Sequence, residues 1–223
     1  MKKKADYTGK KILAVLAHPD DESFGMGGTL AYYARHGAQV DLVCATRGEA
    51  GDVDDAYLDD VKSVACLRTQ ELRCAAGFWG LHEVIFLNYR DSGMSGSVDN
   101  THPNALAAQA IPAVAQKIAH IIRQVRPDVV LTFDPIGGYR HPDHIAAHQA
   151  TVSAFGMAAG FEPLDDPQDL PLHQADHLYF HTIQHTYLKM AVFFMRLFGK
   201  DPHHFGKNSD IDIASLVAVK FPV

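Results

Sequence analysis

The chain has only three cysteines among its 223 residues, and no two of them are spaced as a C-x-x-C pair. An odd number of cysteines cannot form a closed set of disulfides, which excludes a small disulfide-stapled scaffold. Each cysteine lies in an apolar stretch, and we therefore expect buried free thiols at Cys44, Cys66 and Cys74. Free thiols are typical of a reducing cytoplasm.

Long apolar segments and clusters of basic residues are also missing. No segment approaches the roughly 18–20 apolar residues of a membrane-spanning helix. The apolar stretch after the basic start covers only residues 12–17, which is shorter than the core of a secretory signal. Lys and Arg total 20 against 26 Asp and Glu, and no basic block lies beyond the first eleven residues. We therefore expect a cytoplasmic protein that binds neither a membrane nor nucleic acid.

The sequence does contain a regular alternation of short apolar runs and longer helical patterns. Hydrophobic residues make up 47% of the chain, enough for one sizeable core. Runs rich in branched residues predict strands at residues 11–17, 40–45, 83–88, 128–133 and 177–182. Helices are predicted between and after them at residues 23–36, 60–76, 112–126 and 142–157. This alternation predicts an α/β fold, a Rossmann-like and mostly parallel sheet with helices on both faces.

No internal repeat, low-complexity tract or flexible linker divides the chain, so we expect a single domain over residues 1–223. The alternating pattern weakens beyond Thr186. The chain then stops at residues 220–223, straight after an apolar run and without a helix cap or polar tail. The pattern leaves open whether an element is missing at this end.

The first predicted strand runs directly into a dense polar motif, H-P-D-D-E at residues 18–22. A helix cap would explain one of the two aspartates, because Asp accepts hydrogen bonds at a helix N-terminus. It does not explain three carboxylates beside an imidazole, since their mutual repulsion is costly unless a cation is present. The motif therefore favours a metal site.

A second polar motif, D-P-I-G-G-Y-R-H-P-D-H at residues 134–144, follows the fourth predicted strand. Its two glycines allow the backbone to approach another group closely. Pro142 suits the first position of a helix, which places His141 at the cap and His144 in the first turn. The two imidazoles then lie near one face of the helix. Spacing alone leaves open which of them binds a metal.

The two motifs meet if the strands follow the order 3-2-1-4-5 of a doubly wound sheet. Strands one and four are then neighbours, and ligands bind in the crevice at their carboxyl ends. Two histidines and one aspartate without a nearby cysteine have the composition of an open catalytic zinc site. The spare carboxylate and histidine are what a hydrolase needs as base and acid. A non-haem iron oxygenase and a non-catalytic metal-binding module are the alternatives.

In these motifs the sequence resembles the PIG-L/LmbE-type zinc de-N-acetylases, which remove acetyl groups from N-acetylglucosamine-containing molecules. The resemblance rests on A-H-P-D-D-E at residues 17–22 and G-G-Y-R-H-P-D-H at residues 137–144. It extends over T-R-G-E-A-G at 46–51, R-T-Q-E at 68–71 and Y-R-D-S-G-M at 89–94. The last stretch is most similar to the branch with the mycothiol- and bacillithiol-pathway deacetylases and the mycothiol-conjugate amidase.

The resemblance implies a metal ion and a pair of acid–base residues. It makes His18, Asp21 and His144 the ligands of a Zn²⁺ ion, for which Fe²⁺ is an alternative. It makes Asp20 the general base. It makes His141 the residue that protonates or stabilises the reacting group.

The resemblance also implies supporting and substrate-binding residues. Asp143 would orient His141 and raise its pKa, and Tyr139 would help to polarise the amide carbonyl. Arg68 and Asp91 would bind the sugar at the pocket rim, with a salt bridge between them as the alternative. The predicted function is a zinc-dependent hydrolase that removes an acetyl or other acyl group from an N-acetylglucosamine-containing small molecule. An amidase acting on a larger thiol-sugar conjugate is the alternative.

Overall fold

A computed structural model describes residues 5–59, 61–165, 168–206 and 211–220. Five strands form one sheet in the order β3-β2-β1-β4-β5, and every neighbouring pair is parallel. The strands are β1 (Lys11–Leu16), β2 (Gln39–Cys44), β3 (Glu83–Phe86), β4 (Val129–Phe133) and β5 (His177–His181). The predicted α/β fold and strand order are confirmed.

Helices cover both faces of this sheet. The helices of the described residues are α1 (Gly27–Arg35), α2 (Val64–Trp79), α3 (Ile111–Val125), α4 (Gly137–Arg140), α5 (Pro142–Ala159), α6 (His185–Leu197) and α7 (Ile213–Leu216). A π-helical turn, Glu22–Met26, leads into α1. Side chains of α1 and α2 pack on one face of the sheet, and those of α3 and α5 pack on the other.

The central strand β1 shows why the sheet is buried on both sides. Leu13 and Val15 belong to the core cluster beneath α3 and α5, whereas Ile12, Ala14 and Leu16 belong to the cluster beneath α1 and α2. Successive side chains of a strand point to opposite faces, so a strand covered on both faces needs a continuous apolar run. The sequence of β1 supplies that run and delivers the polar motif at its carboxyl end.

Helix α2 differs from its predicted bounds, and its two cysteines are not buried as expected. It starts after the Ser63 cap, while residue 60, the predicted start, lies outside the described residues. It passes through Gly77 and ends at Gly80, whose φ of 77° is the left-handed conformation that suits a helix C-terminus. Cys66 and Cys74 are exposed on its outer face, so the expectation of three buried thiols is wrong; only Cys44 is buried.

The C-terminal part contains helices that the sequence pattern did not predict. α6 buries Leu188 and Val192 but leaves aromatic side chains such as Phe193 exposed. Gln184 at its N-terminus makes no side-chain cap hydrogen bond, so no capping residue marks the start of this helix. Residues 221–223, at the chain end discussed above, lie outside the described residues. In the described segments, no helix is both long and apolar enough to span a bilayer.

Candidate metal centre and active site

The sheet brings the two polar motifs together. β1 and β4 are hydrogen-bonded neighbours, and both motifs follow the carboxyl ends of these strands. His18 and Asp21 come from the loop after β1, and His144 comes from the first turn of α5. Their placement is the crevice expected for ligands in a doubly wound sheet.

Three ligand atoms converge in this crevice. Asp21 Oδ1 lies 3.2 Å from His144 Nε2, and Asp21 Oδ2 lies 3.5 Å from His18 Nδ1. The two histidine nitrogens are 3.3 Å apart. Atoms at about 2.0–2.1 Å from a tetrahedral zinc lie about 3.3–3.4 Å from one another, so the spacing fits a metal ion. Burial alone would raise the pKa of Asp21, but the charge and hydrogen bond of His144 hold it well below its usual range.

The second ring nitrogen of His18 is held by carboxylates. His18 Nε2 lies 3.0 Å from Asp143 Oδ2 and 3.4 Å from Asp91 Oδ1. Histidine ligands of metals usually donate their other N–H to a carboxylate in this way, which fixes the ring and its tautomer. Burial opposes the charge on His18, but these hydrogen bonds outweigh it and raise its pKa well above the usual value.

Asp143 contacts a different histidine from the one expected. Its carboxylate accepts hydrogen bonds from His18, from the Ser92 hydroxyl and from the Ser92 backbone N–H at 2.9 Å. Its contact with His141 is through the backbone, where Asp143 N–H donates to His141 Nδ1 at 3.1 Å. The expectation that the Asp143 carboxylate orients His141 is therefore corrected.

Ser92 is a site residue that sequence reasoning missed. It is fully buried, donates to Asp143, and accepts a hydrogen bond from Ala107 N–H at 2.9 Å. The Y-R-D-S-G-M stretch that contains it was part of the resemblance, but nothing in the stretch indicated that Ser92 contacts a residue 51 positions later.

Asp20 lies at the edge of the candidate metal centre and pairs with Arg68. Arg68 Nη2 is 2.6 Å from Asp20 Oδ2 and also donates to the Pro19 carbonyl. The Asp20 backbone has a φ of 117°, a strained conformation that costs about 1–3 kcal/mol. The Glu22 carboxylate stabilises it by accepting a hydrogen bond from Asp20 N–H. Burial, and then the charge of Asp21, raise the pKa of Asp20. The alternative salt bridge between Arg68 and Asp91 is not formed.

Asp91 lies inside the centre and not at a rim. It is 5% exposed, accepts a hydrogen bond from Gly93 N–H at 2.8 Å and contacts His18. Burial would raise its pKa, but the hydrogen bond and charge of His18 hold it well below the usual range. The expectation of a rim position is wrong for Asp91.

His141 packs beside the three converging residues. Its ring centroid is 4.6 Å from that of His18 and 4.9 Å from that of His144. One ring nitrogen from each of these three histidines lies within 4.8 Å of the others. Burial, followed by the charges of His18 and His144, lowers the pKa of His141 to about 3. The charge of Asp143 raises the pKa of His141 as expected, but burial and the two neighbouring histidines outweigh it.

Tyr139 reaches the same crevice from α4. Gly137 and Gly138 both have a φ of 66°, and a Cβ at Gly137 would lie 2.9 Å from His144 Cβ. Only glycine fits this turn, which brings the Tyr139 ring centroid to 5.1 Å from that of His144. Burial, and then the charge of Asp21, raise the pKa of Tyr139 to about 12, so its hydroxyl stays protonated.

Comparison with known proteins gives one family and several relatives. The family described as "PIG-L: GlcNAc-PI de-N-acetylase" matches residues 13–155. The chain is 46% identical over 167 residues to a 1D-myo-inositol 2-acetamido-2-deoxy-alpha-D-glucopyranoside deacetylase from Kineococcus radiotolerans, covering 68% of this chain and 46% of that protein. It spans about half the length of the curated relatives it matches.

Two solved structures share the fold. One is N,N'-diacetylchitobiose deacetylase from Pyrococcus horikoshii, with a TM-score of 0.58, 25% identity, and coverage of 77% of this chain and 60% of that one. The other, the 4-carboxy-2-hydroxymuconate hydratase GalB of Pseudomonas putida, has a TM-score of 0.58, 23% identity, and coverage of 77% and 65%. One fold thus carries two reactions, and fold alone does not determine chemistry. Because the family match extends over more than half of the sequence, the chain belongs to the PIG-L de-N-acetylase family.

Proposed function

We propose that the chain is a metal-dependent hydrolase that removes the acetyl or other acyl group from the amide nitrogen of a small molecule containing N-acetylglucosamine or an N-acyl analogue of it. The observation that carries this proposal is the convergence of His18, Asp21 and His144 within 3.2–3.5 Å, beside a carboxylate that holds His18. Two imidazoles and one carboxylate with open positions suit Zn²⁺, and Fe²⁺ fits the same donors. An ion held by these residues would acidify a water molecule and polarise the amide carbonyl.

Asp20 is the proposed general base. Its carboxylate is close to half exposed at the edge of the centre, and its raised pKa makes it a better proton acceptor than an ordinary aspartate. Arg68 contacts only Oδ2 of Asp20, so Oδ1 remains able to accept a proton from water. A partly exposed ion pair of this kind contributes about 0–1 kcal/mol, so Arg68 constrains the carboxylate only weakly.

His141 and Tyr139 are the proposed donors on the other side of the amide. His141 Nδ1 accepts a hydrogen bond from Asp143 N–H, so a neutral His141 ring carries its proton on Nε2. The lowered pKa of His141 keeps the ring neutral near pH 7. Neutral His141 and protonated Tyr139 can therefore donate hydrogen bonds to the developing oxyanion or the leaving amine.

The amino sugar is proposed to lie on the side of α2 and of the loop after β3. Charged groups of Arg68, Asp20, Asp91 and Glu49 lie there, with Glu49 accepting from Asp91 N–H at 3.0 Å. Charged donors and acceptors suit a molecule with several hydroxyls, because a site built for them rejects analogues that lack them. In this role Arg68 binds sugar directly, whereas buried Asp91 acts mainly through His18.

The test is the release of acetate and free amine by the zinc-loaded full chain. The substrates include N-acetylglucosamine, N,N'-diacetylchitobiose and the inositol glycoside named for the relatives, and Asp20→Asn is the matched inactive control. We expect release from at least one of them, abolished by chelation. Stoichiometric zinc without any release would contradict the proposal. Oxygen consumption with a 2-oxo acid would instead indicate an iron oxygenase.

A further inference from the structure

A groove opens beside the metal centre, on the side of β5. It has a volume of about 480 Å³, and Asp21 and His144 form its inner end. Its outer walls are formed by Phe24, Ile183 and Tyr187. Ligand clefts for molecules of drug size have volumes of about 300–1,000 Å³, so the groove is large enough for a substantial chemical group.

The groove is formed by the π-helical turn before α1 and the end of β5. Phe24 lies in that turn and is 91% exposed. The next residue, Gly25, lies against His181 at the end of β5, where a Cβ would come within 2.8 Å of the imidazole. This close approach places both segments at one site, although 156 positions separate the two residues in the sequence.

The groove carries almost no charge. Within the described residues, no Lys, Arg or Glu lines it, and its one carboxylate, Asp21, faces His18 and His144. Burial lowers the pKa of His181, so this imidazole is neutral near pH 7. A neutral and largely apolar lining favours a neutral apolar ligand, because a buried charge without a partner is costly.

The groove and the charged side lie on opposite sides of the metal centre. Arg68 belongs to α2, beside the β2–β3 half of the sheet, whereas the groove lies over β4 and β5. An amide is planar, and its nitrogen substituent and carbonyl substituent extend in opposite directions from the C–N bond. A sugar on the charged side therefore directs the acyl group into the groove.

We propose that this groove binds the acyl group of the substrate, and that the preferred acyl group is neutral, apolar and larger than acetyl. The proposal rests on the function proposed above. Water adds to the carbonyl carbon and the C–N bond breaks. The acyl chain leaves as a carboxylic acid, and the nitrogen gains the proton that gives the free amine. An acetyl group would fill only a small part of the groove.

The test compares N-acetyl-, N-butanoyl- and N-hexanoylglucosamine with the zinc-loaded full chain. Each buried methylene is expected to raise kcat/KM by about fourfold. Phe24→Ala and Ile183→Ala should each lower the hexanoyl-to-acetyl ratio of kcat/KM severalfold. Phe161→Ala is the matched control, since Phe161 is 73% exposed and does not line the groove. Equal kcat/KM values along the series, unchanged by Phe24→Ala, would overturn the proposal and leave deacylation intact.

A second series distinguishes an acyl group from an aglycone. It keeps the acetyl group constant and extends the glycoside from methyl to hexyl. If kcat/KM rises with glycoside length in a way that depends on Phe24, and does not rise along the acyl series, the groove holds the aglycone and the proposal is overturned. A rise in kcat/KM that occurs only along the acyl series supports the proposal.

Calorimetric titration separates failure of the groove from failure of the proposed function. If none of the acyl glucosamines is hydrolysed, the proposed activity is wrong, and binding still tests the groove. Tighter binding of N-hexanoyl- than of N-acetylglucosamine, lost in Phe24→Ala but kept in Phe161→Ala, supports an acyl-binding groove. Equal binding of both ligands by the parent chain overturns it.

Discussion

The two sides of the candidate metal centre are built in different ways. On the side of β1–β3, side chains hold one another: Ser92 donates to Asp143, which accepts from His18. On the side of β4 and β5, Phe24 and Tyr187 lie exposed along an open groove. Hydrogen-bonded groups keep a fixed geometry, as proton transfer and metal binding require. Apolar walls select a ligand mainly by size and shape.

This contrast divides the proposed reaction between the two sides. Substitutions on the hydrogen-bonded side should change metal binding and turnover, because they disturb atoms that hold the ion or move protons. Substitutions along the groove should change the preference among acyl groups. The expected effects differ in size, since a lost metal ligand costs far more than a lost apolar contact.

The largest effect is expected for His144→Ala. The variant removes one of three converging ligand atoms and should lose the metal ion on dialysis, and the activity that depends on the ion should be lost with it. Metal analysis of the dialysed variant measures its metal content, which is compared with an expected one ion per chain in the parent. His204→Ala removes an exposed histidine elsewhere and is the control. A dialysed variant that retains the full metal content would remove His144 from the ligand set.

Asp20→Asn should have the next largest effect and should act on the rate alone. Asparagine keeps the shape of the side chain but cannot accept a proton, so kcat should fall by about 10²–10⁴-fold while metal content stays at the parent level. Turnover near that of the parent would place the base elsewhere. Glu22 is then the next carboxylate to test, although its side chain is buried and accepts from Asp20 N–H.

Ser92→Ala should weaken metal binding without abolishing it. Loss of the hydroxyl leaves Asp143 less firmly held and allows the His18 ring to move. Outer partners of metal ligands typically contribute about 10–100-fold in affinity, and competition with a chelator measures the change. Ser95→Ala, at an exposed serine three residues later, should have no effect. Equal affinity in both variants would show that Ser92 does not support the centre.

The sequence predicted the framework and a polar cluster at the strand ends for physical reasons, whereas the resemblance supplied the roles of the individual residues. A parallel sheet covered on both faces requires apolar strands, and carboxylates crowded beside an imidazole indicate a cation. The sequence did not predict which side chains pair. Asp143 contacts His18 across 125 residues, and the burial of Asp91 depends on the path of the loop after β3. Neither contact leaves a local pattern.

The smallest effect is expected for Arg68→Ala, and it tests whether Arg68 serves the sugar or the fold. Arg68 pairs with Asp20 at the edge of the centre, and such a pair contributes about 0–1 kcal/mol to the free energy of unfolding. The melting temperature should therefore change by only a few degrees. If Arg68 also binds sugar hydroxyls, KM for an N-acylglucosamine should rise severalfold in Arg68→Ala. In Arg68→Lys the KM should lie between those of the parent and of Arg68→Ala, because lysine lacks the planar donor fork. Arg73→Ala, at an exposed arginine of the same helix, is the control. A clear loss of stability with KM unchanged would assign Arg68 to the fold and leave the sugar to other groups of the charged side.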